Sequence, residues 1–251
     1  MKKVKILKTN ISQVSLSKAA EILTSSKNTT VAVCNANSLV RSYRSSELNK
    51  ILNSFNLNLP DGFSVAKASS ILYSNDQKRV DGFKIFKETI KKGLENNTSH
   101  YFFGNSEDVI SKLILVLKSE YPDINIAGYN CPPMSSAETL SSISYQELIS
   151  QLNPDIVWVS LGFPKQEYVV NELSNSEKVT SNLVGIGFAI EWVAGTKVKA
   201  PEFLANIGVE WIFRLIQEPK RLYKRYLIDN TLFVIYFLKQ ILTNDKKVTS
   251  E

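Results

Sequence analysis

The sequence predicts an α/β fold with a Rossmann-like, mostly parallel sheet flanked by helices, followed by a C-terminal helical appendage. Short apolar runs alternate with helical segments up to about Gly187, which is the pattern of strand–helix–strand units in a parallel sheet. From about Ala200 the pattern is helical only, with basic and aromatic residues and no further strand. We therefore predict two domains, an α/β domain over residues 1–199 and an appendage over residues 200–251.

Each strand is predicted from a short apolar run bounded by polar or turn residues. The predicted strands are Val4 to Leu7, Thr29 to Cys34, Phe55 to Leu59, His100 to Phe103, Ile124 to Ala127, Ile156 to Leu161 and Leu183 to Ile186. Helices are predicted where apolar residues recur at helical spacing. They are Leu16 to Thr24, Ser38 to Leu52, Phe83 to Leu94, Glu107 to Lys118 and Tyr145 to Leu152. The Pro- and Ser-rich stretch from Cys131 to Ser144 is predicted to be a loop.

The charge of the chain indicates an anionic partner. The 251 residues carry a formal net charge of +6, and nucleic acid, membrane phospholipid and nucleotide or lipid diphosphates all fit such a charge. Between Lys197 and Arg225 there are seven basic residues against three acidic ones. Most of the imbalance is therefore C-terminal.

The sequence lacks the motifs of several common kinds of functional site. The two cysteines, Cys34 and Cys131, have no metal-ligand spacing. Neither a signal peptide nor a membrane span is visible in the sequence, so a reduced cytoplasmic location is expected. His100 is expected at the surface. No P-loop or nucleophile elbow is present, and Gly185-Ile186-Gly187 has Ile190 where a dinucleotide fingerprint needs its third glycine. An acid or base role falls to a carboxylate by elimination.

Polar residues follow several of the predicted strands, where open α/β sheets bind their ligands. These polar turns are Asn35 with Asn37, Pro60-Asp61-Gly62, Gly104-Asn105-Ser106 and Gly162-Phe163-Pro164-Lys165-Gln166-Glu167. Each also has a purely structural interpretation, as a helix cap (Asn37 among them) or a turn. In the last turn, Gly162 allows a tight bend and Pro164 suits a first helical turn. Together they predict a site for a polar, phosphate-bearing ligand.

The region from Asn35 to Tyr226, about three quarters of the chain, resembles the WecG/TagA/CpsF family of bacterial glycosyltransferases, glycosyltransferase family 26. The matching pieces occur in the family's order. They are Asn35-Ala36-Asn37, Pro60-Asp61-Gly62, Arg79 with Gly82, Phe103-Gly104, Gly162 to Glu167, Glu191 with Ala194-Gly195, Ala200-Pro201, and Gly208 to Trp211 running on to Arg214-Leu215 and Glu218 to Arg221.

The resemblance implies inverting transfer of a sugar from a UDP-sugar to an undecaprenyl-diphosphate-linked acceptor, without a cofactor or an obligatory metal. The transferred sugar would be of the N-acetylmannosamine type or a related hexose or uronic acid. Family products include teichoic acid linkage units, enterobacterial common antigen and capsules. The enzyme would be cytoplasmic and peripherally attached to the inner face of the bacterial plasma membrane. UDP-sugar, the lipid-linked acceptor and the membrane surface are thus the implied partners.

By position, the resemblance makes Asp61 the general base. Its pKa would have to rise above the ordinary value for an Asp, for instance through burial against Phe63. Asn37 and Arg79 would complete the catalytic group. Asn35 departs from the usual threonine, which leaves the sugar specificity open. The residues implied for the nucleotide-sugar side are Asn35, Gly104, Asn105, Gly162, Pro164, Lys165, Gln166 and Glu167.

The appendage adds three arginines at positions i, i+7 and i+11: Arg214, Arg221 and Arg225. On a continuous helix they would share one face and could bind a lipid diphosphate; a second helix starting at Pro219 would break that register. Aromatic and aliphatic residues beside them are typical of a helix that lies in the membrane interface. A core-packing helix with a solvated basic face is the structural alternative.

Two other functions stay open. An inactive nucleotide-sugar binding module or assembly partner would keep the polar turns but not the base, and the presence of Asp61 argues against it. Nucleic-acid binding would need aromatic residues interleaved with basic ones, whereas here they cluster with aliphatic residues, so no nucleic-acid partner is predicted. An apolar appendage exposed to water also favours self-association as a homo-oligomer.

Overall fold

The computed structural model describes residues 1–243 and 248–250. The strands among these residues form two sheets. The strands are β1 (Lys2–Ile6), β2 (Thr9–Ser12), β3 (Thr30–Cys34), β4 (Leu57–Pro60), β5 (Ser99–Gly104), β6 (Asn125–Asn130), β7 (Ile156–Ser160), β8 (Asn182–Gly185) and β9 (Val248–Ser250). Six of them form a parallel sheet in the order β4-β3-β8-β7-β5-β6. This confirms the predicted fold class.

The predicted strand at Val4 to Leu7 belongs to a separate antiparallel sheet of order β2-β1-β9. The prediction of no further strand after Ala200 was wrong, because β9 pairs with β1 through Val4 and Val248. β9 has only three residues, too few for its own pattern to stand out in the sequence.

Helices cover both faces of the parallel sheet. They are α1 (Leu16–Ser25), α2 (Ala36–Arg44), α3 (Ser46–Ser54), α4 (Phe63–Tyr73), α5 (Gly82–Gly93), α6 (Glu107–Glu120), α7 (Ala137–Leu140), α8 (Ile143–Leu152), α9 (Lys165–Ser174), α10 (Ala189–Val193), α11 (Glu202–Asn206), α12 (Glu210–Gln217), α13 (Pro219–Tyr223) and α14 (Asn230–Leu242). A short 3₁₀ turn, Leu94–Asn96, follows α5, and a π-helical stretch, Lys224–Asp229, joins α13 to α14.

Two predicted segments differ in detail. The single helix expected from Ser38 to Leu52 is two helices, because Ser45 ends α2 and its hydroxyl accepts from the Leu48 amide at 3.3 Å to start α3. The predicted loop from Cys131 to Ser144 contains the short helix α7. Helix α4 was not predicted, although it follows directly from the Asp61-Gly62 turn.

The core lies on both faces of the parallel sheet. Trp158 of β7 is fully buried, and its ring meets Phe86 of α5 edge-on at 4.8 Å between centroids. Its indole N–H donates to Nδ1 of His100 at 3.1 Å. The expectation of a surface His100 was therefore wrong: the side chain is 1% exposed, and burial lowers its pKa to about 4.

The C-terminal segment, which we define as residues 200–243, packs on the α/β core. Phe233 of α14 is 3% exposed, and the ring of Tyr236 stacks on Tyr43 of α2 at 4.6 Å. Gln240 accepts from the Leu7 amide at 2.8 Å and donates to the Lys5 carbonyl at 3.0 Å. The division after residue 199 stays a prediction, and these contacts cross it.

The outer face of the C-terminal segment is apolar. Ile216 of α12 is 75% exposed and Leu227 of the π-helical stretch 54%. Phe203, Ile207, Ile212, Ile228 and Val234 are exposed as well. Within residues 1–243 and 248–250, no helix combines the length and the apolar character that crossing a membrane requires.

Candidate active site

Asp61 lies where strand β4 turns into helix α4. Its amide donates to the Cys34 carbonyl at 2.8 Å, which fixes it beside the end of β3. Gly62 follows with φ +81°, a conformation that a glycine adopts without strain and that lets the chain enter α4. Burial raises the pKa of Asp61 to about 6, and the Arg79 guanidinium partly opposes that rise.

Phe63, which the sequence suggested as an apolar neighbour of Asp61, is itself 45% exposed. Its ring packs against Gly208, where an added Cβ would lie 2.8 Å from the Phe63 ring. Burial raises the pKa of Asp61 in the direction that the predicted role requires.

Arg79 is held in place by two carboxylates. Its Nε and one terminal nitrogen donate to Oδ2 of Asp81 at 3.1 and 2.6 Å, and the other terminal nitrogen donates to Oε2 of Glu210 at 2.7 Å. Asp81 is 2% exposed and also caps α5 by accepting from the Lys84 amide at 2.9 Å. Burial acts to lower the pKa of Arg79, but Asp81, Asp61 and Glu210 outweigh it and raise that pKa. Arg79 therefore stays a fixed positive charge.

Asn35 and Asn37 have different roles in the structure. Asn35, not Asn37, caps α2, since its side chain accepts from the Ser38 amide at 3.2 Å. Asn37 lies in the first turn of α2, and its Nδ2 donates to Oδ2 of Asp229 in the C-terminal segment. The cap aligns α2 so that both asparagines line the site.

Two adjacent cavities meet at Asp61. The first, which we call the aromatic cavity, has a volume of about 270 Å³ and extends from Asn37 to Trp211, Tyr226 and Phe233. The second, which we call the arginine cavity, measures about 310 Å³. Four residues line both cavities: Asn35, Asp61, Trp192 and Arg214. Asp61 can therefore face a group bound in either one.

The floor of the arginine cavity is made by strand ends. An added Cβ on Gly104, whose φ is +104°, would lie 2.5 Å from the Ser160 carbonyl oxygen, so only glycine fits there. Asn105 donates from Nδ2 to the Ser160 hydroxyl at 3.1 Å, and that hydroxyl donates to the Gly187 carbonyl at 2.9 Å. This chain of bonds joins β5, β7 and β8. Gly162 also lines the cavity, with φ +76°.

The remaining residues of the Gly162 turn lie at different places relative to the cavity. Gln166 lines the arginine cavity. Pro164 directly precedes α9, and Lys165 points away, donating to the Ser135 carbonyl at 2.7 Å. Glu167 lies beneath the cavity, 1% exposed, and accepts from Gln166 Nε2 at 3.0 Å. Burial raises the pKa of Glu167 to about 8, so the carboxyl is mostly protonated at neutral pH.

All three predicted arginines line the arginine cavity. Helix α12 ends at Gln217 and α13 begins at Pro219, so the predicted continuous face does not exist. Arg214 instead stacks on Phe188 at 4.5 Å and on Trp192 at 5.0 Å, and Arg221 stacks on Phe188 at 5.0 Å.

Arg225 is the most enclosed of the three, and burial lowers its pKa. Its Nε has no hydrogen-bond partner among the residues that the structure describes. The sequence assigned these arginines to a lipid diphosphate. The structure places them in the same cavity as Gly162, Asn105 and Gln166, which the sequence assigned to the nucleotide side.

Sequence reasoning missed several residues that build the site. Phe188 and Trp192 support the arginines, and Glu210 holds Arg79. Glu210 lies within a motif that the resemblance quotes, which was a usable signal. Asp229, the partner of Asn37, lies in no motif and gives no signal in the sequence.

Comparison with known proteins identifies a family and named relatives for this chain. The model of the "Glycosyl transferase WecG/TagA/CpsF family" matches residues 4–247. A protein of Bacillus subtilis (strain 168), named N-acetylglucosaminyldiphosphoundecaprenol N-acetyl-beta-D-mannosaminyltransferase, is 33% identical over 178 residues, covering 70% of this chain and 66% of the relative. Proteins with the same name from Bacillus spizizenii (strain ATCC 23059 / NRRL B-14472 / W23) and Staphylococcus aureus (strain MW2) are 29% and 28% identical, over 68% and 69% of this chain.

The matched part of the chain spans slightly less than two thirds of these relatives' own lengths, 66%, 64% and 66%. The family model, in contrast, covers nearly the whole of this chain. Most of the motifs that carried the resemblance contribute residues to the two cavities, whereas Phe103-Gly104 and Ala200-Pro201 line neither. The chain belongs to the WecG/TagA/CpsF family of glycosyl transferases.

Proposed function

We propose that this protein transfers a sugar from a UDP-sugar to an acceptor sugar carried on undecaprenyl diphosphate. One observation carries the proposal: Asp61, with its pKa raised to about 6, lies at the junction of an arginine-lined cavity and an aromatic one. The names of the relatives support N-acetylmannosamine as the transferred sugar and N-acetylglucosaminyl-diphosphoundecaprenol as the acceptor.

In this proposal the arginine cavity binds the UDP moiety. Arg214, Arg221 and Arg225 supply the positive charge that a diphosphate needs, in planar donor groups suited to phosphate oxygens. Their charge also stabilises the UDP that departs, so no obligatory metal is invoked. Gly162, where an added Cβ would meet no atom within 4 Å, allows the nucleotide to approach the backbone closely.

The aromatic cavity binds the acceptor sugar, so that donor and acceptor meet at Asp61. The acceptor hydroxyl oxygen forms the new bond to the anomeric carbon as the bond to the UDP oxygen breaks on the opposite face, which inverts the configuration. The electron pair of the broken bond leaves with UDP, and the proton of the hydroxyl passes to Asp61. With a pKa of about 6, Asp61 is mostly ionised at pH 7 and is a stronger base than an ordinary aspartate.

The exposed apolar face of the C-terminal segment supports peripheral attachment to the membrane in which the acceptor resides. Lys220 and Lys224 are exposed on the same segment and would add attraction to anionic lipids. Sedimentation with anionic vesicles tests this attachment. Ile216→Asp with Leu227→Asp should abolish pelleting, whereas Leu115→Asp, which changes an equally exposed residue on α6, should not. Equal loss in both variants would reject the assignment of this face.

The reaction itself is tested by UDP release from a panel of UDP-sugars, each with and without a short-chain N-acetylglucosamine-diphosphate-lipid. Release that needs this acceptor and one donor, UDP-N-acetylmannosamine, is the expected result. Release that is independent of the acceptor, or its absence with every donor, would contradict the proposed transfer.

A further inference from the structure

The hydrogen bond between Asn37 and Asp229 joins the α/β core to the C-terminal segment. Asn37 is 7% exposed and lines the aromatic cavity together with Asp61. Asp229 does not line that cavity; it lies behind Asn37 at the end of the π-helical stretch. Asp229 is therefore placed to act on a bound ligand through Asn37.

The chemistry of this bond fixes the orientation of the Asn37 amide. A carboxylate has no proton to give, so only the NH₂ group of Asn37 can bond to it. The carbonyl oxygen, Oδ1, has no hydrogen-bond partner in the part of the chain that the structure describes. That oxygen can only accept hydrogen bonds, so the matching group on a ligand is a hydroxyl or an amide N–H.

We propose that Asp229 is a positioning residue that holds the Asn37 amide with its carbonyl oxygen available to a hydroxyl or acetamido N–H of the acceptor sugar. The inference rests on the proposed function, because it assigns the aromatic cavity to that sugar. Asn37 and Asp61 then offer two acceptors side by side. One hydroxyl gives its proton to Asp61 while a second group on the same ring is held by Asn37.

Removing Asp229 frees the amide to rotate. In the rotated state the NH₂ group faces the sugar and donates hydrogen bonds to its hydroxyl oxygens. Such a bond can occupy the lone pair that the attacking oxygen needs to form the new bond. Only one of the two orientations is productive, and Asp229 selects it. Residues that orient metal-ligating side chains are typically worth about 10- to 100-fold in affinity or activity, and we expect an effect of that order here.

The test is calorimetric titration of the wild type, Asp229→Ala, Asn37→Ala and the double variant with the short-chain acceptor, and separately with UDP. Asp229→Ala should weaken acceptor binding about tenfold or more and leave UDP affinity at the wild-type value. In the Asn37→Ala background, Asp229→Ala should have no further effect. Asp229→Asn should restore most of the affinity, because its amide oxygen can still accept from Asn37.

The matched control is Asp123→Ala, which removes the same charge at an exposed position in the turn before β6. It should leave both affinities unchanged. An equal loss of acceptor affinity from Asp229→Ala with and without Asn37, or no loss at all, would overturn the positioning role. A wild type that binds this acceptor but transfers no sugar would contradict the proposed reaction and leave this binding test intact. A wild type that binds UDP but not this acceptor would overturn the inference.

Discussion

The two cavities at the edge of the sheet share Asn35, Asp61, Trp192 and Arg214, yet their remaining walls differ in chemistry. The arginine cavity is built from strand-end backbone and guanidinium groups. The aromatic cavity is built from rings of the C-terminal helices, among them Trp211 and Tyr226. The α/β core thus supplies a shared carboxylate, and the C-terminal segment gives each cavity its character.

The largest effect is expected where the two cavities meet. Asp61→Asn should lower turnover by about 10²- to 10⁴-fold, the usual range for a positioned base, while UDP affinity changes little. Wild-type turnover should also fall as the pH drops below about 6, because Asp61 is then protonated. Steady-state kinetics across pH and UDP titration measure both effects. Near-normal turnover of the variant would remove Asp61 as the base.

A change on the arginine side should separate the two cavities. Arg221→Gln removes one charge facing the proposed diphosphate, and a hydrogen bond to a charged group is worth about 1.5–3 kcal/mol. UDP affinity should therefore fall by about 10- to 150-fold, with the acceptor KM nearly unchanged. If the acceptor KM rises more than the UDP dissociation constant, the assignment of these arginines to the lipid diphosphate would be correct instead.

Beneath the arginine cavity, Glu167→Gln should change how stability depends on pH. The native pKa of Glu167 is about 8 against an ordinary 4.5, so the folded state holds a proton that the unfolded state releases between those values. Stability contributed by this group is thus lost as the pH rises from 4.5 to 8. The stability difference between variant and wild type should therefore shift in favour of the variant by about 4 kcal/mol between pH 4.5 and pH 8, at about 1.4 kcal/mol for each unit of pKa shift. Urea unfolding at several pH values measures this gain, and a constant difference would contradict the assignment.

The smallest effect is expected on the aromatic side. Trp211 meets the Tyr226 ring at 6.0 Å, in the wall assigned to the acceptor. Trp211→Ala should raise the acceptor KM by about five- to tenfold, in keeping with about 1 kcal/mol for an aromatic contact. UDP affinity should remain as in the wild type. Kinetics with varied acceptor would show this, and an equal loss of UDP affinity would mean that the two cavities are not separate.

The sequence located the strand ends at this edge of the sheet, because strand ends follow from local patterns. Apolar runs ending in Asp61, Gly104 and Gly162 place those residues at one edge of a parallel sheet wherever the helices go. The break between α2 and α3 was harder to predict from the sequence. Ser45 has no strong helix-breaking character of its own, and the break arises because its side chain caps α3. His100 was misjudged because the Trp158 N–H that satisfies it is 58 residues away.

The walls of the cavities were less predictable. Arg214, Arg221 and Arg225 were identified, but their direction depends on the break at Pro219 and on stacking against Phe188. The Asn37–Asp229 bond spans 192 residues and follows from no periodicity. Contacts of this kind depend on how separate elements pack, which a local pattern does not encode.

The bond from the Leu7 amide to Gln240 also bears on the order of assembly during synthesis. It spans 233 residues and helps hold α14 against the β1–β2 hairpin. Closing so long a loop costs entropy before it yields contacts, and contacts of high sequence separation form slowly. A chain still on the ribosome can pair β3 with β4 but lacks the helix that completes the aromatic cavity. Both cavities should therefore become complete only after the C-terminal segment has been synthesised and has packed on the α/β core.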